Sequence, residues 1–167
     1  SAGHILLEAD NIRIEDGGVV TAETESITRI EKTGSIQIHA EEDLVISGSA
    51  VRKEFPLNLL PQNTVNPRTV LPSALRAQTK GVNRGGDIQI SAGNVFVTGG
   101  GLISNAALKG EGAGGKIDLD VVDTIRLTGA NEKVDTNRTI FRSEISSGTQ
   151  APGHGGDITI RAKNVEM

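Results

Sequence analysis

The sequence predicts an all-β fold: a parallel β-helix of about five coils with one long extra-helical insertion. Three observations predict it. Glycine supplies 21 of 167 residues, and 17 Ile, 13 Val and 14 Thr stand against 12 Leu. That β-branched chemistry suits pleated strands better than helices. A pattern of Gly or Ser, then x-Ile-x-aliphatic-x-Ala, recurs five times, as GHILLEA at 3–9, SIQIHA at 35–40, DIQISA at 87–92, KIDLDV at 116–121 and DITIRA at 157–162. Its first isoleucines, Ile5, Ile36, Ile88, Ile117 and Ile158, are spaced by 31, 52, 29 and 41 residues, a base period near 30 with two units enlarged by insertions. One such unit cannot bury its apolar face alone, whereas stacked units can.

Each unit opens with the Ile-rich strand. Strict alternation of apolar and polar residues puts one face inward. Stacking then makes ladders Ile5/Ile36/Ile88/Ile117/Ile158 and Leu7/Ile38/Ile90/Leu119/Ile160, with Ala9/Ala40/Ala92/Val121/Ala162 beside them. A turn follows, at Asn11, Asp43, Asn94, Thr124 or Asn164. All but Thr124 tolerate left-handed backbone and bond neighbouring backbone, so a side-chain ladder is expected there. The second strands are Ile12–Ile14, Leu44–Ile46, Val95–Val97, Ile125–Leu127 and Val165–Met167. A third, weaker strand follows a glycine cluster at Gly101–Ser104, Ser143–Ser146 and Gly18–Thr21. Gly85-Gly86, Gly114-Gly115 and Gly155-Gly156 mark the turn that restarts a coil. No helical pattern follows them, so a phosphate cradle is not predicted. An antiparallel sandwich would need Asn-Gly or Asp-Gly hairpins between strands, and Asp16-Gly17 alone qualifies.

Composition excludes several functions. Phe55, Phe96 and Phe141 are the only aromatics, so no aromatic platform for nucleic-acid bases exists. The absence of cysteine excludes disulfides and thiolate metal sites. The net charge of −4 gives no general attraction to phosphate backbones, and no nucleic-acid partner is predicted. No apolar run reaches the ~18 residues of a membrane span, so no membrane insertion is expected. The chain starts and stops within the repeat, without a covering amphipathic helix, which predicts a piece of a longer protein.

The units GGDIQISAGNVFVTGGGLISNA and GGKIDLDVVDTIRLTG resemble the repeats of filamentous-haemagglutinin-like exoproteins of bacterial two-partner secretion. The likeness covers most of residues 2–49 and 85–167 and leaves out 50–84. It implies a right-handed single-stranded β-helix shaft, exported through an outer-membrane transporter and exposed extracellularly at the cell surface. It further implies adhesion to a glycan or protein of a host or neighbouring cell. The family's Asn-Pro-Asn-Gly secretion motif is absent, so the resemblance is to shaft rather than secretion domain. The expected organisation is coils 1–2 over 1–49, a Pro-rich basic insertion over 50–84 and coils 3–5 over 85–167, as one structural domain.

The insertion holds Pro56, Pro61, Pro67 and Pro72, a density that excludes a central strand. Ser73 to Thr79 is expected to form one or two helical turns ending at Gly81. Its charge is +5, which leaves −9 for the rest. Arg52, Lys53, Phe55, Arg68, Arg76, Lys80 and Arg84 make it the candidate binding loop for an acidic glycan or a neighbouring protein, since insertions in solenoids tend to form the binding face. The competing expectation is a loop packed on the shaft by Leu57, Leu59, Leu60, Leu71 and Leu75. A second insertion near 129–142 is short and polar and is expected as a solvated loop beside the first.

Catalytic chemistry is sparse. The outward columns of the first strands are Leu6, Gln37, Gln89, Asp118, Thr159 and Glu8, His39, Ser91, Asp120, Arg161. His, Ser and Asp share a column, but stacking puts Ser91 between His39 and Asp120, the wrong order for a triad. A polar ladder with an Asp120–Arg161 ion pair is expected instead. Asp118, Asp120 and Arg161 form the candidate polar site of the alternative function, a polysaccharide-active lyase or hydrolase. Too few oxygens stand there for calcium, and no cofactor or metal is predicted. Phe96 is expected to meet Arg126 in a cation–π contact.

Overall fold

The structure, a computed structural model, describes residues 3–24, 33–53, 68–108, 112–131, 140–149 and 152–167; for residues 52, 53, 68 and 69 it describes the backbone alone. Among the described residues the chain is all-β, with no helix. The first repeat unit contributes β1 (His4–Ala9), β2 (Ile12–Glu15) and β3 (Val19–Thr21). In the second, the first two strands run together as β4 (Ser35–Ser47). A hairpin of β5 (Ser49–Lys53) and β6 (Arg68–Pro72) follows, then β7 (Ala74–Arg76). The third has β8 (Ile88–Thr98) and β9 (Leu102–Ser104), and the fourth has β10 (Ile117–Val121), β11 (Thr124–Thr128) and β12 (Glu144–Ser146). The fifth has β13 (Ile158–Arg161) and β14 (Asn164–Glu166).

Equivalent strands of successive units lie side by side and parallel. One sheet runs β1-β4-β8-β10-β13, extended by β2, β11 and β14; a second runs β3-β7-β9-β12. The register is the one the repeat dictates. Ile5, Ile36, Ile88, Ile117 and Ile158 pair in sequence, as do Leu7, Ile38, Ile90, Leu119 and Ile160. Ala9, Ala40, Ala92 and Val121 form the third column, and Ala162 packs on the core beyond them. The second strands align Ile12, Leu44, Val95, Ile125 and Val165. From the other sheet, Val20, Leu75, Ile103 and Ile145 form a column that shares the same core. Each fully buried aliphatic contributes about 1.5–3 kcal/mol, so these columns dominate the stabilisation.

The expected helical turns over Ser73 to Thr79 do not form. Ala74–Arg76 is a strand held between β3 and β9, and Leu75 is fully buried in the core. Alanine, leucine and arginine favour helix in isolation, and two partner strands override that preference. Thr79 continues the parallel stacking in a column with Thr24, Ala107 and Thr149. The tract 50–84 therefore includes the third strand of the second unit, and what leaves the two sheets is the antiparallel hairpin of β5 and β6. Pro72 ends β6, where no ladder donor is needed. Val70 of the hairpin is buried; Phe55, Leu57, Leu59 and Leu60, on which the competing expectation of a packed loop rests, lie outside the described residues.

The units alternate in kind. In the first and third, the second and third strands are joined by tight turns with two left-handed residues, Asp16-Gly17 and Gly99-Gly100. Their closing bonds, Gly18 N–H to Glu15 O (2.9 Å) and Gly101 N–H to Thr98 O (3.0 Å), complete type I′ turns. In the second and fourth units a single left-handed glycine, Gly48 or Gly129, is followed by an insertion. The same two units carry an extra residue before the second strand. Glu41 to Asp43 and Val122 to Thr124 each oppose two residues of a neighbour, a β-bulge.

Both insertions are tied down by one device. Ser73 Oγ donates to Ser47 O (2.6 Å) and accepts the Gly17 N–H (2.9 Å). Ser143 Oγ donates to Thr128 O (2.7 Å) and accepts the Gly100 N–H (3.1 Å). Each serine thus clamps the return of an insertion onto the tight turn of the preceding unit. Ser73 is fully buried, and losing its hydroxyl removes both part-buried bonds of the clamp, at about 0.5–1.5 kcal/mol each. The second insertion is further closed by the Ala130–Arg142 bridge and the Asn131 N–H to Phe141 O bond (2.9 Å). Residues 132–139, expected as a solvated loop, lie outside the described residues.

Two ladders hold the corners. At the bend between first and second strands, the Asn94 amide donates to Asp43 Oδ1 (3.0 Å) and its oxygen accepts the Thr124 N–H (3.2 Å). Asn164 continues to Asp123 (3.3 Å), while Asn11 bonds Glu42 (2.8 Å) rather than Asp43. At the restart corner, Gly34, Gly86, Gly115 and Gly156 stack so closely that a Cβ on any later member would overlap the carbonyl oxygen of the one before. These glycines have ordinary backbone angles; the approach of one unit to the next excludes a side chain.

Candidate functional site

The outward side of the first-strand column forms a shallow groove of about 580 Å³ that crosses all five units, from Leu6 and Glu8 to Arg161. Period-two alternation puts its polar side chains opposite the buried ladders, so the residues that build the core also aim the groove. Gln37 and Gln89 are register partners and share an amide hydrogen bond of 2.6 Å. His39 pairs with Ser91, and Ser91 with Asp120, so serine does stand between histidine and aspartate. No proton relay follows from that order.

The candidate polar site of Asp118, Asp120 and Arg161 is brought together in part. Asp120 and Arg161 are register partners. The expected ion pair between them is not made. Lys116 Nζ instead lies 2.5 Å from Asp118 Oδ2. The Lys116 ammonium, hydrogen-bonded to Asp118, holds its carboxyl below the usual carboxylate range, with partial burial pulling the other way. Lys116 and Asp118 stand two residues apart, which on a strand means one face. That spacing is the sequence signal for the Lys116–Asp118 pair. A carboxylate already matched by a lysine is a poor general base or metal ligand. Among the described residues no group of three or more His, Asp and Glu side chains is placed to hold a metal ion. On the second strands, the Arg126 guanidinium lies 5.8 Å from the centre of the Phe96 ring, as expected. Glu166 also bonds it at 2.5 Å and raises its pKa.

The candidate binding loop is dispersed. Arg52, Lys53 and Arg68 lie on β5 and β6, with Lys53 directly opposite Arg68. Arg76 lies on β7 in the second sheet, half-buried. Lys80 pairs with Glu23 at 3.1 Å, and Arg84 bridges both oxygens of Asp87 at 2.7 Å. These last two cations serve the turn that ends the second unit. Phe55 lies outside the described residues. The basic character that stays with the hairpin is therefore that of Arg52, Lys53 and Arg68.

A second groove of about 570 Å³ lies over the outward side of β9 and β12, between Pro72 of the first insertion and Ile140, Phe141 and Arg142 of the second. The two insertions thus flank one surface, which the sequence anticipated only as proximity. Comparison with family models, with curated proteins and with solved structures found no match.

Proposed function

We propose that the chain is a stretch of right-handed parallel β-helix shaft from a secreted, filamentous-haemagglutinin-like exoprotein. In this reading an outer-membrane transporter exports it, it is exposed at the outer cell surface, and its insertions present adhesive contacts to a glycan or protein of another cell. The observation that carries the reading is the unbroken in-register stacking of five units, with both insertions leaving from the same corner. Such a stack spends its residues on length and rigidity. Parallel crossovers are right-handed in about 98% of cases, which supports the hand. A cysteine-free chain suits passage across membranes before folding. Because Arg76, Lys80 and Arg84 lie away from the hairpin, the adhesive element of this reading is taken to be the stretch from β5 to β6, with Arg52, Lys53 and Arg68.

The test is deletion of 54–67, with Lys53 joined to Arg68 by a short turn. Removing all of 50–84 would also take away β7 and the Ser73 clamp. The shortened chain is expected to keep its β circular-dichroism spectrum and unfolding midpoint while losing binding to cells. Unchanged binding would show that the hairpin is not the adhesive element.

A further inference from the structure

We propose that the groove on the outward face of the first strands is a second binding surface, taking a linear neutral glycan that runs along the stacking direction. The inference deepens the adhesive reading and assigns a ligand class to the shaft itself. The groove crosses five strands, each separated from the next by about 4.8 Å. An extended β-linked hexose chain advances per sugar by a distance on the order of that spacing, so an oligosaccharide lying along the groove reaches the outward side chains of several units. Gln37 and Gln89, both lining the groove, fix each other through the bond from the Gln37 amide to the Gln89 amide oxygen, which leaves the Gln89 N–H₂ outside that bond. Next to them, the side chains of Glu8, His39, Ser91 and Asp120 make no hydrogen bond or ion pair with any described residue. These four side chains stand in adjacent units along the groove, so their donors and acceptors form an open row.

Charge selects the ligand. Lys116 matches the charge of Asp118, and of the remaining groups Glu8 and Asp120 outweigh Arg161 along the groove, so a polyuronate or sulfated chain gains no net attraction there. No aromatic side chain lines it, so recognition rests on hydroxyl groups that donate to carboxylate and amide oxygens, the former as charge-assisted bonds. The chemistry that fits is an uncharged, extended, hydroxyl-rich polymer.

Calorimetric titration tests this, using β-linked hexasaccharides of glucose, mannose and N-acetylglucosamine, the matching disaccharides, and hexagalacturonate. A neutral hexasaccharide is expected to bind at least about tenfold more tightly than its disaccharide, because only the longer chain spans several units. The exposed pair Gln89→Ala and Asp120→Ala is expected to weaken binding by about tenfold or more while the unfolding midpoint stays unchanged. The variant lacking 54–67 is expected to bind the glycan as the parent does, which separates this inference from the role of the hairpin. Absence of binding across the neutral chains, tighter binding of hexagalacturonate, or indifference to the double substitution would each overturn it. Shortening of the oligosaccharide would replace it with the enzymatic alternative.

Discussion

Gly86→Ala is expected to destabilise the chain by more than about 3 kcal/mol, the upper end of what overpacking ordinarily costs. The new methyl group would overlap the Gly34 carbonyl oxygen and come within 3.1 Å of the Ala77 Cβ. Neither neighbour is a flexible side-chain end. Relief requires the second and third units to separate, and separation stretches the ladder bonds of both sheets at once. Gly148→Ala is the matched control, since nothing lies within 4 Å of a Cβ there. Urea unfolding monitored by circular dichroism reads the difference. The expected result is a midpoint near the parent's for Gly148→Ala and loss of the folded baseline, or a large drop, for Gly86→Ala. Equal midpoints would mean that the close stacking of Gly34 and Gly86 is not a feature of the protein.

The second large effect is positional. Ile88 is 0% exposed, flanked by Ile36 and Ile117, and Ile88→Ala is expected to cost about 2–5 kcal/mol through lost burial and the cavity left behind. Ile158 occupies the same place in the last strand of the column, and it is 42% exposed because β13 has a partner on one side only. Ile158→Ala is expected to cost no more than about 1 kcal/mol. The two substitutions are chemically identical, so their difference isolates the neighbouring unit. Urea midpoints within error of each other would contradict stacking as the source of stability.

The ladders were legible because two local signals agreed. Alternation set the inward face, and recurrence of the Ile-x-aliphatic-x-Ala motif fixed which residue meets which. β7 was hidden because it is three residues long and follows a hairpin. Its identity depends on β3 and β9, far away in sequence, and its Ala-Leu-Arg composition points locally to helix. Ser73 and Ser143 were invisible for a related reason. Each acts on a glycine 56 or 43 residues earlier, and no local pattern marks a serine that bridges two units. The restart glycines were found in the right places but for an incomplete reason. A turn explains glycine by backbone angle, whereas here the carbonyl of the preceding unit fills the space of a side chain.

The site was legible to a similar degree. Register alone gave both outward columns and the order of His39, Ser91 and Asp120. The Asp120–Arg161 ion pair does not form although the two are register partners, because register aligns backbones and leaves long side chains free to turn away; the pair that does form, Lys116–Asp118, joins residues two apart in one unit. The candidate loop was drawn from composition, which cannot distinguish a cation on a projecting hairpin from one closing a turn. Arg84 and Lys80 belong to the second kind.

The central claim is the parallel, in-register stacking of five units, and engineered cross-links test it most directly. The chain has no cysteine, so any disulfide formed must join the introduced pair. Four pairs of outward register partners are available: Leu6→Cys with Gln37→Cys, Gln37→Cys with Gln89→Cys, Gln89→Cys with Asp118→Cys, and Asp118→Cys with Thr159→Cys. Partners on adjacent strands lie within the 4.4–6.8 Å that a disulfide spans, whereas a shift of two residues, as in Gln37→Cys with Ser91→Cys, opens the gap to roughly 8 Å. Mild oxidation is expected to cross-link all four matched pairs and to leave the shifted pair reduced. Equal cross-linking of matched and shifted pairs, or failure of the matched pairs in a folded chain, would contradict the stack.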